Sequence, residues 1–417
     1  MTRYQGLLLA PAALLLAGAS SSAELHISAD FEGGSIGACR SVGENHVECK
    51  VRGETDQDGR NRQASWFYLR LDGAAGKPVT IDLVDLAGEY NYKPAPGGIT
   101  DKTPPWISYD ETHWEPAAGV EYRAEPPRLR VRFTPRAEPV WLARLPPYTN
   151  RNLEKLLSEV RDSPALQVET IGKSAEGRDL YLLTFETPGK GPSPKKTIWL
   201  MFRQHAWEAG TSWVAEGAIR YLAGTKARSL LRQAVIKIFP MPDPDGVARG
   251  GVRFNKYGYD LNRNWDRILP RKMPEIAAHY AAVRKWLESG RTVEMFLTVH
   301  NTEVHEYIEG PPEPQGPIVK ELMMRFFHSL QYQTSFAATR PPQPAKPTTV
   351  PGRKGSMTVY QFLSREHGIP AFLMELAIAR NPKVGGFRTI EDWQRFGEQL
   401  IRMLVYSVRP PRKRPLH

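Results

Sequence analysis

The stretch Thr197-Ile198-Trp199-Leu200-Met201-Phe202-Arg203-Gln204-His205-Ala206-Trp207-Glu208 decides how this chain folds. Its first half is a short apolar run of the kind that forms a buried strand. Its second half sets an imidazole and a carboxylate three positions apart just past that strand. Three further apolar runs follow the same plan: Val235 to Pro240, Glu294 to Val299 and Ala371 to Leu376. Each delivers polar residues at or beyond its C-terminal end, where α/β sheets place their sites. They bring, in order, the turn Asp243-Pro244-Asp245-Gly246, then His300, then Glu375. Between the second and third lie Arg253 and Asp260-Leu261-Asn262-Arg263-Asn264-Trp265-Asp266.

The residue types imply a chemistry. A catalytic zinc takes three protein ligands, often two imidazoles and a carboxylate, and keeps a fourth position open. His205, Glu208 and His300 supply that set. His305 is the alternative third ligand, and strand-end geometry favours His300. An HxxE pair alone is a weak signal; its position among four strand ends gives it weight. Glu375, interrupting an apolar run, suits a general base whose pKa is tuned by burial. Arg253 suits an oxyanion, and Arg263 with Asn262 suits a carboxylate held in bidentate fashion. Asp260 is the expected partner of His205 through its other ring nitrogen. Asp266 reads as a turn or capping residue.

With these residues the chain resembles the M14 zinc carboxypeptidases, and among them the cytosolic carboxypeptidase-like branch. The branch resemblance also rests on Phe31-Glu32-Gly33-Gly34-Ser35-Ile36-Gly37, Trp66-Phe67-Tyr68-Leu69-Arg70 and Arg144-Leu145-Pro146-Pro147-Tyr148-Thr149. It implies that His205, Glu208 and His300 bind one Zn2+, that Asn262 and Arg263 hold a terminal carboxylate, that Arg253 polarises the carbonyl, and that Glu375 is the general base. It also implies a tyrosine closing over substrate, for which Tyr360 is the nearest candidate. The family usually has Pro-Gly between the first two ligands; here Ala206-Trp207 stands there, so the indole is expected at the cleft. Arg203, Arg353 and Lys354 are candidates for favouring an acidic terminal side chain such as glutamate.

Periodicity gives the organisation. From about Glu24 to Leu145 the chain alternates, as in Leu129-Arg130-Val131-Arg132-Phe133, with Gly and Pro between the runs, which predicts an all-β antiparallel sandwich. After Pro146-Pro147, helix-period segments at Asn152 to Val160, Thr211 to Leu222, Pro274 to Leu287 and Ile390 to Tyr406 alternate with strands, which predicts an α/β domain with a mixed central sheet flanked by helices. The boundaries expected are 24–145 for the sandwich and 146–408 for the catalytic domain. The Pro-rich loops Glu309 to Pro317 and Pro341 to Gly355 are expected to wall the cleft.

Residues 1–23 carry a basic start, the apolar run Leu7 to Leu16 and the small residues Ser21-Ser22-Ala23, the pattern of a secretory signal. Beyond it no stretch is long and apolar enough to span a bilayer. Secretion to the periplasm or exterior would let the two cysteines, Cys39 and Cys49, form a disulfide. Zinc ligation by them is disfavoured, because no Cys-His cluster completes a site. With 41% hydrophobic and 24% charged residues the 417-residue chain has globular composition. Part of its +11 charge lies in the tail 409–417, which is expected to touch an anionic surface at most weakly. Nucleic-acid binding is disfavoured for want of any accompanying motif. The sequence therefore points to a zinc carboxypeptidase acting on peptides or cell-wall peptides; the alternatives are a zinc amide hydrolase of peptidoglycan-derived peptides or N-acyl amino acids, and a binding module that kept the fold.

Overall fold

Alternate side chains of the Lys196–Phe202 strand enter two different cores, and this sets the layering. Ile198, Leu200 and Phe202 join a buried cluster with helices Asn150–Val160, Ala209–Ala223, Gly316–Gln333 and Ile390–Ser407. Trp199 and Met201 join a second cluster with helices Pro274–Glu288 and Val359–His367 on the opposite face. A strand buried on both faces has to read as a continuous apolar run, as this one does. The computed structural model describes residues 25–90, 92–187, 195–312, 316–349 and 354–409; the expected signal segment, Arg353 and the tail beyond Arg409 lie outside them.

The sheet between these layers has eight strands in the order Leu166–Lys173, Asp179–Phe185, Ala234–Phe239, Lys196–Phe202, Met295–Thr302, Ala371–Ala377, Tyr307–Gly310, Gln343–Pro344. The four middle strands are mutually parallel, and their C-terminal ends share one edge. Antiparallel strands flank them on both sides, making the sheet mixed. These four middle strands are the four apolar runs of the sequence.

Two five-stranded sheets pack face to face in the N-terminal part, with Leu69, Leu71, Val140 and Leu142 of one against Ile81, Leu83, Leu129 and Val131 of the other. Pairing is antiparallel except between His46–Lys50 and Val79–Val84, which run parallel. The intervening chain first passes through the opposite sheet and a small four-stranded sheet, a path long enough for the crossover that parallel pairing needs. Cys39 and Cys49 face each other in the hairpin Cys39–Gly43/His46–Lys50 and are joined by a disulfide. An apolar joint of Trp66, Tyr68, Trp106 and Leu145 with Trp207, Ala209, Val252 and Ile378 connects the sandwich to the α/β part.

Candidate active site

His205 leaves the Lys196–Phe202 strand, and Glu208 is the N-cap residue of helix Ala209–Ala223. His300 lies in the neighbouring strand Met295–Thr302. All three side chains are buried, and one ligand atom from each falls within 4.8 Å of the others. Both histidines turn Nδ1 toward the same carboxylate: His205 Nδ1 lies 2.7 Å from Glu208 Oε1, and His300 Nδ1 lies 3.0 Å from Oε2. Two imidazoles and one carboxylate converging in this way fit a zinc ion with an open position. His305 is exposed beyond the strand and is not part of the group.

The far side of each ring is also engaged. His205 Nε2 lies 3.1 Å from Asp260 Oδ1, while His300 Nε2 lies 2.9 Å from Thr298 Oγ1, whose hydroxyl donates to Gln204 Oε1 at 2.7 Å. Such partners fix the tautomer that leaves Nδ1 free to bind metal. Asn301 braces the same region, accepting from Thr211 N in the helix after Glu208 and donating to Leu376 O next to Glu375.

The electrostatics follow from burial and pairing. Burial raises the carboxyl of Glu208, but the two histidines outweigh it and hold it well below the usual range. Asp260 is likewise raised by burial and lowered further by Arg253 and His205, ending well below its ordinary value. Burial and Arg253 lower His205, yet Glu208 and Asp260 raise it overall; His300, lowered first by burial, stays depressed. Glu375 is pushed far up by burial and then by the charge of Glu208. A bound divalent cation opposes that last effect.

Glu375 stands opposite His300 in the parallel pairing of Met295–Thr302 with Ala371–Ala377, so both project from one level of the sheet. Its Oε2 is closed from solvent and has no hydrogen-bond partner. Arg253 donates through Nε to Asp260 Oδ2 at 2.7 Å, and its terminal NH2 groups have no protein partner among the described residues. Arg253, Asp260 and Arg263 line a cavity of about 590 Å³ together with Arg60, Asn61, Lys346, Thr348 and Gly355. The described part of the Pro341 to Gly355 loop therefore does wall this cavity.

Other expectations meet a different arrangement. Asn262 is buried, its Oδ1 accepting from Val359 N and its Nδ2 lying 3.2 Å from His300 Nε2. Arg263 Nη1 donates to Asn262 O at 2.8 Å, and the residue lines the cavity. Tyr360 is packed in the core, with its hydroxyl donating to Glu309 Oε2, and it is absent from the cavity lining. Tyr307, half-buried, stands opposite Glu375 in the antiparallel pairing of Tyr307–Gly310 with Ala371–Ala377. Trp207 lies in the apolar joint, not at the cleft, so the Ala-Trp substitution for Pro-Gly serves packing between the two parts. Arg203 is buried as well. It donates to Ala206 O and Ser212 Oγ beneath the metal turn and is not available to a substrate. Asp266 accepts from Gly355 N, Met357 N and Thr349 Oγ1, a turn-fixing role.

Comparison with known proteins gives two adjacent family matches. Residues 153–308 match the sequence model described as Zinc carboxypeptidase, and residues 27–145 match the Cytosolic carboxypeptidase N-terminal domain. An uncharacterized protein of Zymomonas mobilis is 29% identical over 291 residues, covering 69% of this chain and 70% of that one. Cytosolic carboxypeptidase 3 of Bos taurus is 25% identical over 307 residues, 68% of this chain; the match spans only 30% of that longer protein. In three dimensions a metallo-carboxypeptidase from Burkholderia cenocepacia superposes with a TM-score of 0.80 at 22% identity, covering 92% of this chain and 98% of the other, which establishes a shared fold.

Proposed function

Because this chain belongs to the M14 zinc carboxypeptidase family, with the N-terminal domain of its cytosolic carboxypeptidase branch, we propose that it removes the C-terminal residue of peptides by hydrolysis. The observation that carries the reading is the convergence of His205, Glu208 and His300 beside a cavity that also presents Arg253 and Arg263. When bound, zinc lowers the pKa of water and polarises the carbonyl under attack.

The protein's own groups do the rest. Arg263 pairs with the terminal carboxylate of the peptide, which limits cleavage to the last bond. Arg253, fixed at Nε by Asp260, turns its free NH2 groups to the oxygen that gains charge as the carbonyl becomes tetrahedral. Glu375 takes the proton of the attacking water and delivers it to the leaving amine. Its unpartnered, solvent-shielded Oε2 suits a group that must gain and lose a proton within one turnover. Asp260 and Thr298 keep the two imidazoles in register throughout.

A preference for acidic terminal residues is the finer part of this reading. Lys346 lines the cavity, and Arg267 and Lys354 line its neighbour, which shares Gln57, Arg60, Asn264, Gly355 and Ser356 with it. None of these three has an acidic partner among the described residues, so their field is available to an anionic side chain. Comparing release from Glu-ending and Phe-ending peptides by the wild type and by Lys346→Ala/Lys354→Ala tests this; an unchanged ratio rejects it. We place the mature protein outside the cytosol, in the periplasm or beyond, on the N-terminal pattern of residues 1–23, with support from the Cys39–Cys49 disulfide. Cell fractionation decides that point. No helix among the described residues is long and apolar enough to cross a membrane.

A further inference from the structure

We propose that Glu54, in the N-terminal part of the chain, is a positioning residue for Arg253, so that the active centre is complete only when the small N-terminal sheet is docked on it. The kinetic side of this inference rests on the carboxypeptidase reading. Glu54 lies in the two-residue strand Glu54–Thr55, nearly two hundred positions from the residues it holds. Its Oε2 accepts three consecutive backbone N–H groups, from Val252 at 3.0 Å, Arg253 at 2.7 Å and Phe254 at 3.0 Å. Its Oε1 accepts from Arg249 Nη2 at 3.2 Å.

Successive N–H groups directed at one carboxylate form an anion-binding concavity of the kind used for phosphates, here filled by the chain itself. The arrangement fixes Arg253 at two points, its backbone nitrogen by Glu54 and its Nε by Asp260, and leaves the cleft-facing end of the guanidinium for the reacting oxygen. The same segment also reaches the metal turn, since Trp207 N donates to Val252 O at 3.0 Å between the ligands His205 and Glu208.

Two neighbouring ties run from the same N-terminal stretch. Arg52 Nη2 donates to Arg249 O at 2.7 Å, and Gln57 N donates to Gly258 O at 3.1 Å. Glycines make the approach close enough. A Cβ on Gly251 would lie 2.8 Å from Glu54 Oε1, and one on Gly250, at φ +65°, would lie 2.3 Å from Gly34 O. The loop carrying Arg253 is thus shaped to accept the N-terminal part, and Glu54 is the charged group at the centre of the contact.

Displacing a transition-state donor by about 1 Å costs on the order of a hundredfold in rate. Glu54→Ala is accordingly expected to lower kcat by about ten- to a hundredfold with KM changed by less than about threefold, because Arg253 acts on the transition state and not on ground-state binding. Glu54→Gln, which keeps the size but loses the charge, falls between. The discriminating measurement is the double-mutant cycle: in an Arg253→Ala background, Glu54→Ala has under about a threefold further effect if it works through that arginine. An equal factor in both backgrounds overturns the proposal. A second readout is independent of activity. Hydrogen exchange at the amides of residues 252–254 is slow in the wild type and speeds up locally in Glu54→Ala, whereas unchanged protection there overturns the proposal. A wild type that releases no terminal residue refutes the carboxypeptidase reading by itself, and the exchange measurement still decides whether Glu54 holds the loop.

Discussion

Helices Ala209–Ala223 and Ile390–Ser407 touch backbone to backbone, and substituting Gly217 tests what that contact does for the metal site. A Cβ on Gly217 would lie 1.9 Å from Gln394 O; reciprocally, one on Gly397 would lie 2.0 Å from Val214 O. By propensity alone, Gly217→Ala stabilises a helix by about 1 kcal/mol. Real carbon–oxygen contacts do not fall to 1.9 Å, so the helices have to separate by at least about 1 Å, and overpacking of this kind costs about 1–3 kcal/mol or more. The steric effect wins, because the obstacles are backbone atoms that cannot rotate away. Since Glu208 caps the same helix, a shift of that size exceeds the ~0.5 Å tolerance of a metal site. We expect Gly217→Ala to lower both the melting temperature and the zinc affinity, the latter measured by competition with a chromophoric chelator. Gly397→Ala should do likewise, and the double variant should cost less than the two together, since the helices need part only once. A Gly217→Ala protein as stable as the wild type with unchanged zinc affinity would refute this reasoning.

Asp243 gives a pH-dependent expectation. Burial, opposed by Arg249, raises its carboxyl from 3.8 to about 7, and its Oδ2 has no hydrogen-bond partner. A group raised on folding contributes stability below its unfolded value and loses it as pH climbs through the folded one. Asp243→Asn should therefore be near neutral at pH 4 and stabilising at pH 8, with a ceiling of about 4 kcal/mol, in melting of the metal-free protein; an equal shift at both pH values counts against it. Cys39→Ser opens a loop of ten residues' separation and should destabilise the sandwich by about 2–3 kcal/mol, read by urea unfolding against a reduced wild type, which should match it. Arg263→Ala should raise KM at least about tenfold for peptides with a free terminus; an unchanged KM would remove it from carboxylate binding.

The sequence made the catalytic core legible because its four middle strands are buried on both faces, and residues such as Ile198 and Trp199 must then be apolar regardless of which layer they meet. His205, Glu208, His300 and Glu375 stood out as polar residues at the ends of such runs. The helix Gly316–Gln333 is missing from the segments read by periodicity; only its first two residues fall in the expected loop Glu309 to Pro317, where Pro317 serves as a first-turn residue and not as a breaker. Trp207 and Arg203 were assigned to the cleft because spacing reports neighbours in sequence, whereas both point into packing made by distant segments. Glu54 carried no signal at all. A carboxylate that accepts N–H groups two hundred positions away looks, in sequence, like any surface glutamate.

The central claim is hydrolysis of a C-terminal peptide bond, and mass spectrometry of a defined peptide pool tests it most directly. Peptides free and amidated at the C-terminus would be incubated with the zinc-loaded protein and with its Glu375→Gln variant. The account predicts loss of one terminal residue from free peptides, none from amidated ones, and a drop of at least about a hundredfold in the variant. Equal cleavage of free and amidated peptides, or full activity without Glu375, would contradict it.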